Sequence, residues 1–349
     1  MVSSILFSDA PTFLIFINQL DVLFIPILKG GREIMESTGV FLQEMLMLYG
    51  ISVLGFFARK SGILNEHAND VLTQLILFIT LPALILFSLD ISFSFTLVKE
   101  FLWLITMSIY VLVLSILLAI WMRKRAVQLT DKQNSVYEGL IIFGNQGFIG
   151  YAVIFIIFGN QGIIYLTMFN LCYLLIIWSY GIYLFSKNKS EMKWKSIFLN
   201  PGILSTLAGL VIFLLPIGLP DVISNGLEMV GKMTIPLSMI IVGSLIANVK
   251  FMSLFSMLKR SLLWKMAIAK LLFIPLLLIP FAALSVPATL LVIAVIVSGM
   301  PSAPTISLYA QKYDADASFA SLGVLLTTLF CVMTIPLLYL IVELLTKWY

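Results

Sequence analysis

The chain has 349 residues, of which 61% are hydrophobic and 11% charged, and its mean hydropathy is +1.09. Soluble domains are roughly 45–50% apolar and about 25% charged, so a soluble globular fold is excluded. The formal net charge of +4 is accounted for by basic loops between apolar segments and calls for no nucleic-acid partner.

Residues 1–40 form an N-terminal extension. Its apolar stretch PTFLIFINQLDVLFIPIL, at 11–28, is interrupted by Asn18, Gln19, Asp21 and Pro26, which suits either an extra span or a helix lying in the membrane interface. No basic stretch precedes it, which argues against a cleaved signal peptide. A membrane span needs about 20 residues of apolar helix. Ten such runs follow, at 41–58, 69–89, 97–122, 136–158, 161–186, 199–219, 222–247, 261–285, 288–311 and 318–345. They are too long and too continuous for barrel strands, which alternate over segments of about ten residues. The fold class is therefore an all-α integral membrane protein with ten core transmembrane helices.

Alternate loops hold the basic residues: Arg59 and Lys60; Arg123, Lys124, Arg125 and Lys132; Lys187, Lys189, Lys193 and Lys195; Lys250, Lys259, Arg260 and Lys265; and Lys312. These are 15 of the 21 Lys and Arg. Cytoplasmic loops carry that excess, so the first of the ten spans starts outside the cytoplasmic membrane and the C-terminus is extracytoplasmic.

The second span contains FITLPALILFS and the seventh KMTIPLSMIIVGS. Thr80-Leu81-Pro82 and Thr234-Ile235-Pro236 lie 154 residues apart, and the same shift lays Asn145-Gln146-Gly147-Phe148-Ile149-Gly150 on Gly299-Met300-Pro301-Ser302-Ala303-Pro304. The shift divides the chain into a first repeat at 41–186, a linker at 187–198 and a second repeat at 199–349. Each repeat has five spans, an odd number, so the two copies are inverted, and inverted repeats with interrupted helices mark transporters.

The interruptions have a physical cause. Pro301 and Pro304 lack an N–H and crowd the preceding turn, while Gly144, Gly147 and Gly150 permit unwound backbone, so the fourth and ninth spans become pairs of half-helices. Unwound backbone at membrane depth must be satisfied inside protein or in a water-filled cavity, so the two breaks are expected to cross and line one site. Half-helix N-termini carry about half a positive charge and free N–H groups, which suits a carboxylate.

FGNQGFIG, at 143–150, resembles the glycine and asparagine stretch of the auxin efflux carrier family, and SGMPSAPTISLYAQKYDAD, at 298–316, resembles its second motif with the Met-Pro step and the aromatic-basic end. LPALILFS at 81–88, NPG at 200–202 and TIPLSMIIVG at 234–243 also resemble family positions, so the likeness spans about residues 41–345. The resemblance implies two inverted five-helix repeats with crossing helices four and nine, related in fold to the bile-acid sodium symporters. It further implies export or exchange of organic anions, auxin in plants and malate, malonate or similar acids in bacteria, by a homodimer. The short loop from Lys187 to Ser196 matches the compact prokaryotic form. Ala152 stands where the family's first motif usually ends in proline, and residues 1–40 have no family counterpart.

The substrate site is accordingly expected around Asn145, Gln146, Gly147, Gly150, Pro301, Ser302 and Pro304. Charges inside spans are costly and point to function by default. Lys232 has Glu228 one turn before it, the order favourable for an ion pair, so it serves either as an anion contact or as half of a vestibule pair. Lys270, five residues before Pro275, either snorkels to the interface as an anchor or contacts the anion. Glu138 and Glu44 are coupling candidates or paired acids, and Asp314 and Asp316 fit the cap of the last helix. Asn170 and Trp178 either face the site or pack.

Enzyme readings lack parts: His67 is the lone histidine, Cys172 and Cys331 have no metal-ligand spacing, and no GxxxxGK[ST] loop exists. No cofactor or metal is expected. The leading reading is a secondary carrier of a small organic anion by alternating access, with coupling to a proton, coupling to sodium and exchange all open. The alternative is a gated channel or membrane receptor that keeps the fold.

Overall fold

The computed structural model describes residues 43–186, 199–215, 218–247, 260–284 and 286–348. The expectations for residues 1–40 and for the linker 187–198 lie outside the described residues. Helices are named here in chain order: α1 (43–60), α2 (Glu66–Leu89), α3 (Phe95–Arg125), α4 (Asp131–Ile142), α5 (Gln146–Phe185), α6 (Pro201–Leu214), α7 (Asp221–Ala247), α8 (Ser261–Leu284), α9 (Ala288–Ser298), α10 (Thr305–Lys312) and α11 (Ala317–Trp348). No strand occurs among the described residues.

Local chemistry sets the helix ends. Asn65 caps α2 by accepting from the Ala68 N–H at 2.8 Å, Thr130 and Gln133 form a reciprocal box at the start of α4, and Asn200 with Pro201 opens α6. Asp316 accepts from the Phe319 N–H at 2.9 Å and so caps α11, while Asp314 pairs with Lys132 at 3.0 Å. Within α5, Gly159 has φ 59° and ψ −148°, a conformation that only glycine takes without strain, and it divides that 40-residue stretch in two.

Among the described residues, three helices widen into π turns, at Ile76–Thr80 in α2, Gln146–Gly150 in α5 and Ala269–Phe273 in α8. Two of them stand immediately before a proline, Pro82 and Pro275. A proline cannot donate to the preceding turn, and a locally wider turn absorbs the missing bond and the ring's bulk.

Among the described residues, six helices are long and apolar enough to cross a membrane: α2, α3, α5, α7, α8 and α11, with α6 and α9 as shorter apolar helices. Large apolar side chains lie exposed along them, among them Phe78 at 61% and Met333 at 72%. In water these would be a liability, whereas hydrocarbon solvates them. The chain is a multi-pass membrane protein.

Close backbone approaches knit α1, α2, α6 and α7. Gly243 of α7 abuts the Ser52 carbonyl of α1, Gly55 of α1 abuts the Ile240 carbonyl of α7, and Gly209 of α6 lies against the Leu89 side chain of α2. A Thr80 to Thr234 hydroxyl bond of 2.8 Å, fully buried, joins α2 to α7.

These contacts predict opposite effects for two alanines on the same helix. Gly243→Ala drives a methyl into backbone and is expected to cost about 1–3 kcal/mol, whereas Gly226→Ala, exposed and with open space around it, is expected to gain about 0.5–1 kcal/mol. Thermal unfolding of both variants in detergent, as shifts in Tm of opposite sign, checks this.

Candidate functional site

The site starts where α4 stops. Phe143 turns extended after Ile142, and the chain runs through Gly144 to Asn145, whose side chain accepts from the Phe148 N–H at 3.3 Å and starts α5. A second interruption separates α9 from α10, between Gly299 and Pro304. The two interruptions meet in antiparallel fashion, with Gly144 opposite Ser302. The Asn145 N–H donates to the Pro301 carbonyl at 2.6 Å, and the Ala303 N–H donates to the Phe143 carbonyl at 2.9 Å. Each break thus satisfies the other's backbone, as a dry interior demands.

Neighbouring helices supply the remaining partners. The Tyr173 hydroxyl of α5 donates to the Gly144 carbonyl at 2.5 Å. Thr327 of α11 accepts from the Ser302 N–H at 3.0 Å, and the Ser302 hydroxyl donates to the Leu140 carbonyl at 2.7 Å. Pro301 and Pro304 need no such partners for a missing N–H.

Lys270 comes to this crossing from the π turn of α8 and is 2% exposed. Its ammonium donates to the carbonyls of Ile142 at 3.4 Å and Ser298 at 3.3 Å, the last residues of α4 and α9. Both lengths are at the outer edge of hydrogen bonding, and no carboxylate among the described residues pairs with it. The cation sits where two helix dipoles present their negative ends. Gly144 makes room for it, since a Cβ there would lie 3.1 Å from Nζ and 3.3 Å from the Met300 carbonyl.

Beside the ammonium is a cavity of about 10 Å³, room for about one water, with polar walls from Ser108, Ser115, Gln146, Tyr173 and Ser298 and apolar walls from Val111, Leu112, Phe169 and Ile274. Gln146 Oε1 and the Ser108 hydroxyl are buried there without a hydrogen-bond partner. An unpaired cation, an amide and hydroxyls around one space form a set that recognises an anion with polar substituents.

The residues expected from sequence fall into three groups. Gln146 and Lys270 line the cavity; Lys270 does not reach the surface, because the crossing holds it from both sides. Asn145, Pro301, Ser302 and Pro304 build the crossing itself, the last as cap of α10. Gly147 and Gly150 are not where the backbone unwinds: both are inside the π turn, and the break lies earlier, at Phe143 to Asn145.

The remaining charges sit elsewhere. Lys232 pairs with Glu228 at 2.6 Å on an exposed face of α7, and Glu138, one turn before Ile142 on α4, is buried against Arg123. Glu44 is half-buried on α1, and Asn170 is buried on α5 close to Tyr151 and Thr167 rather than on the cavity wall. Trp178 stacks edge-on with Tyr309. Ser108, Ser115, Tyr173 and Ser298 were not singled out by sequence. The two α3 serines, seven residues apart and so on one helix face, were the readable signal.

The sequence model of the family described as membrane transport protein, that of the auxin efflux carriers, matches residues 40–193 and 188–339. The chain belongs to this family. Its relatives include an uncharacterized transporter of Methanocaldococcus jannaschii, 21% identical over 305 residues that cover 84% of this chain and 96% of that protein. Membership in a family of membrane transport proteins gives the crossing a context: the family's work is to move a solute through the bilayer, and the crossing is where this chain interrupts its own helices.

Tyr173→Phe removes the donor to the Gly144 carbonyl while keeping the ring's packing against Phe143. Leaving that carbonyl unpaired in the interior is expected to cost about 1–3 kcal/mol. Thermal unfolding of the detergent-solubilised variant beside Tyr180→Phe, whose ring stacks on Tyr183, measures it.

Proposed function

We propose that this membrane transport protein is a secondary carrier of a small organic anion, working by alternating access around the crossing of its two broken helices. The observation that carries the reading is Lys270: a buried ammonium without an acid partner, held at the meeting point of two interrupted helices. Burial of an unpaired charge is expensive and is kept where function needs it. A carboxylate entering the cavity would give the ammonium a stronger acceptor than the two distant carbonyls.

The architecture behind this reading is ten core helices in two inverted repeats, 41–186 and 199–349, in the cytoplasmic membrane with the C-terminus outside. Three contacts support it. Thr80 and Thr234, separated by the repeat shift of 154 residues, bond directly to one another, as equivalent residues on a two-fold axis do. The same shift carries Gly55 onto Gly209 and Gly243 back onto Leu89, and the contact of α1 with α7 recurs as the contact of α6 with α2. Interrupted helices four and nine stand at corresponding places in the two halves.

In this mechanism the cavity of about 10 Å³ is too small to hold a carboxylate substrate, so substrate entry requires the helices around the crossing to move against the α1, α2, α6 and α7 group. The Lys232 to Glu228 pair, 45% and 32% exposed, is too solvated to contribute much to binding and serves at most the vestibule.

Counterflow in liposomes tests the proposal. Vesicles loaded with an unlabelled carboxylate are expected to accumulate the labelled one faster than empty vesicles do, and Lys232→Ala is expected to keep that acceleration. A pore or a receptor gives none, and equal rates in loaded and empty vesicles would refute the carrier.

A further inference from the structure

We infer that the crossover site takes a monoanion, a small carboxylate with one negative charge, and discriminates against dicarboxylate dianions. The inference rests on the crossing being the carrier's binding site and adds the charge that the site accepts.

Counting charge at the crossing leads there. Two helices end at it, α4 and α9, and two begin at it, α5 and α10. Each end carries about half an elementary charge, negative where a helix stops and positive where one starts, so the four helix ends cancel. What remains is the single formal charge of Lys270, since the other polar side chains on the cavity wall are amide, hydroxyl and phenol groups and none is an acid. Acids on the flanking elements are engaged elsewhere: Glu138 with Arg123, Asp314 with Lys132, Asp316 with the Gln133 amide at 2.8 Å, and Glu100 with the Tyr165 hydroxyl at 2.7 Å.

One carboxylate brings such a site to neutrality. A dianion leaves a negative charge in surroundings too dry to solvate it, with no second cation to meet it. The other unpartnered polar groups in the cavity, the Gln146 Oε1 and the Ser108 hydroxyl, are neutral, while the Ser115 hydroxyl already donates to the Val111 carbonyl at 2.6 Å. They suit a hydroxyl, carbonyl or ester oxygen on the substrate rather than a second carboxylate. The ammonium has three donors and two distant acceptors, which leaves one donor for the incoming oxygen without dismantling the crossing.

The test compares acids that share a skeleton and differ in charge: malonate against its monomethyl ester and succinate against its monomethyl ester, with lactate as a further monoanion. Binding to the purified full-length protein is read by ligand-dependent thermal stabilisation at neutral pH, since a ligand of the folded state raises apparent stability with occupancy. The half-esters and lactate are expected to bind at least roughly ten-fold more tightly than the dianions. Lys270→Met is expected to remove binding of the monoanions. If that variant fails to fold, Gln146→Glu serves: it leaves the ammonium in place but supplies the cavity with its own negative charge, and the same loss is expected.

Dianions that bind as tightly as their half-esters would overturn the inference. So would a folded Lys270→Met or Gln146→Glu that keeps monoanion binding, or no binding by any of the acids. The two readings part cleanly. If malonate drives counterflow as well as its half-ester, the carrier stands and the charge rule falls; if the half-ester binds through Lys270 but never drives counterflow, the charge rule stands and the carrier falls.

Discussion

The rest of this structure depends on two backbone hydrogen bonds, Asn145 to Pro301 and Ala303 to Phe143. Interrupting a helix inside a membrane exposes peptide groups that hydrocarbon cannot solvate, and a single broken helix would have to bury that cost alone. Two broken helices that cross can each complete the other. Once the crossing exists, further residues become necessary: Tyr173 for the Gly144 carbonyl, Thr327 for the Ser302 N–H, and Gly144 itself, because a Cβ there would crowd the Lys270 ammonium and the Met300 carbonyl.

The crossing also decides where charge can live. Helix ends that would otherwise sit at the membrane surface are brought into the interior, and with them their dipoles. An ammonium is tolerable there because Ile142 and Ser298 offer it two helix C-termini. The π turns in α5 and α8 place the two side chains that matter most, Gln146 and Lys270, by changing the helix's angular step just where they leave it. A regular helix through Pro275 would lose a backbone bond, so the proline that sets Lys270's position also explains the irregularity that allows it.

Much of this was legible in the sequence, for physical reasons that differ from residue to residue. Apolar runs of about twenty residues have only one stable form in a bilayer, so α2, α3, α7, α8 and α11 begin and end within a few residues of the spans read from hydropathy. Proline is equally readable, and Pro301 and Pro304 mark the second break. Of the three glycines read as permitting the first break, the chain opens at Gly144, where its partner segment around Ser302 lies opposite, while Gly147 and Gly150 remain in a helical turn, because glycine permits unwinding without requiring it. That partner is more than 150 residues away in sequence, beyond the reach of local propensity. Lys270 had two readings for the same reason, since whether a lysine near a proline snorkels outward or points inward depends on which helix passes beside it. Ser108 and Ser115 gave a signal, a polar stripe on an apolar helix, that carries meaning only once α8 and α9 are known to face it.

The most direct measurement of the account is an experimental density map of the protein in lipid nanodiscs with a bound monocarboxylate, such as lactate at saturating concentration. The account predicts ligand density beside the crossing, with a carboxylate oxygen within hydrogen-bond distance of Lys270 Nζ and the Asn145 to Pro301 bond intact. Ligand density beside Lys232 and Glu228, or elsewhere away from the crossing, with Lys270 still held only by the Ile142 and Ser298 carbonyls, would contradict it.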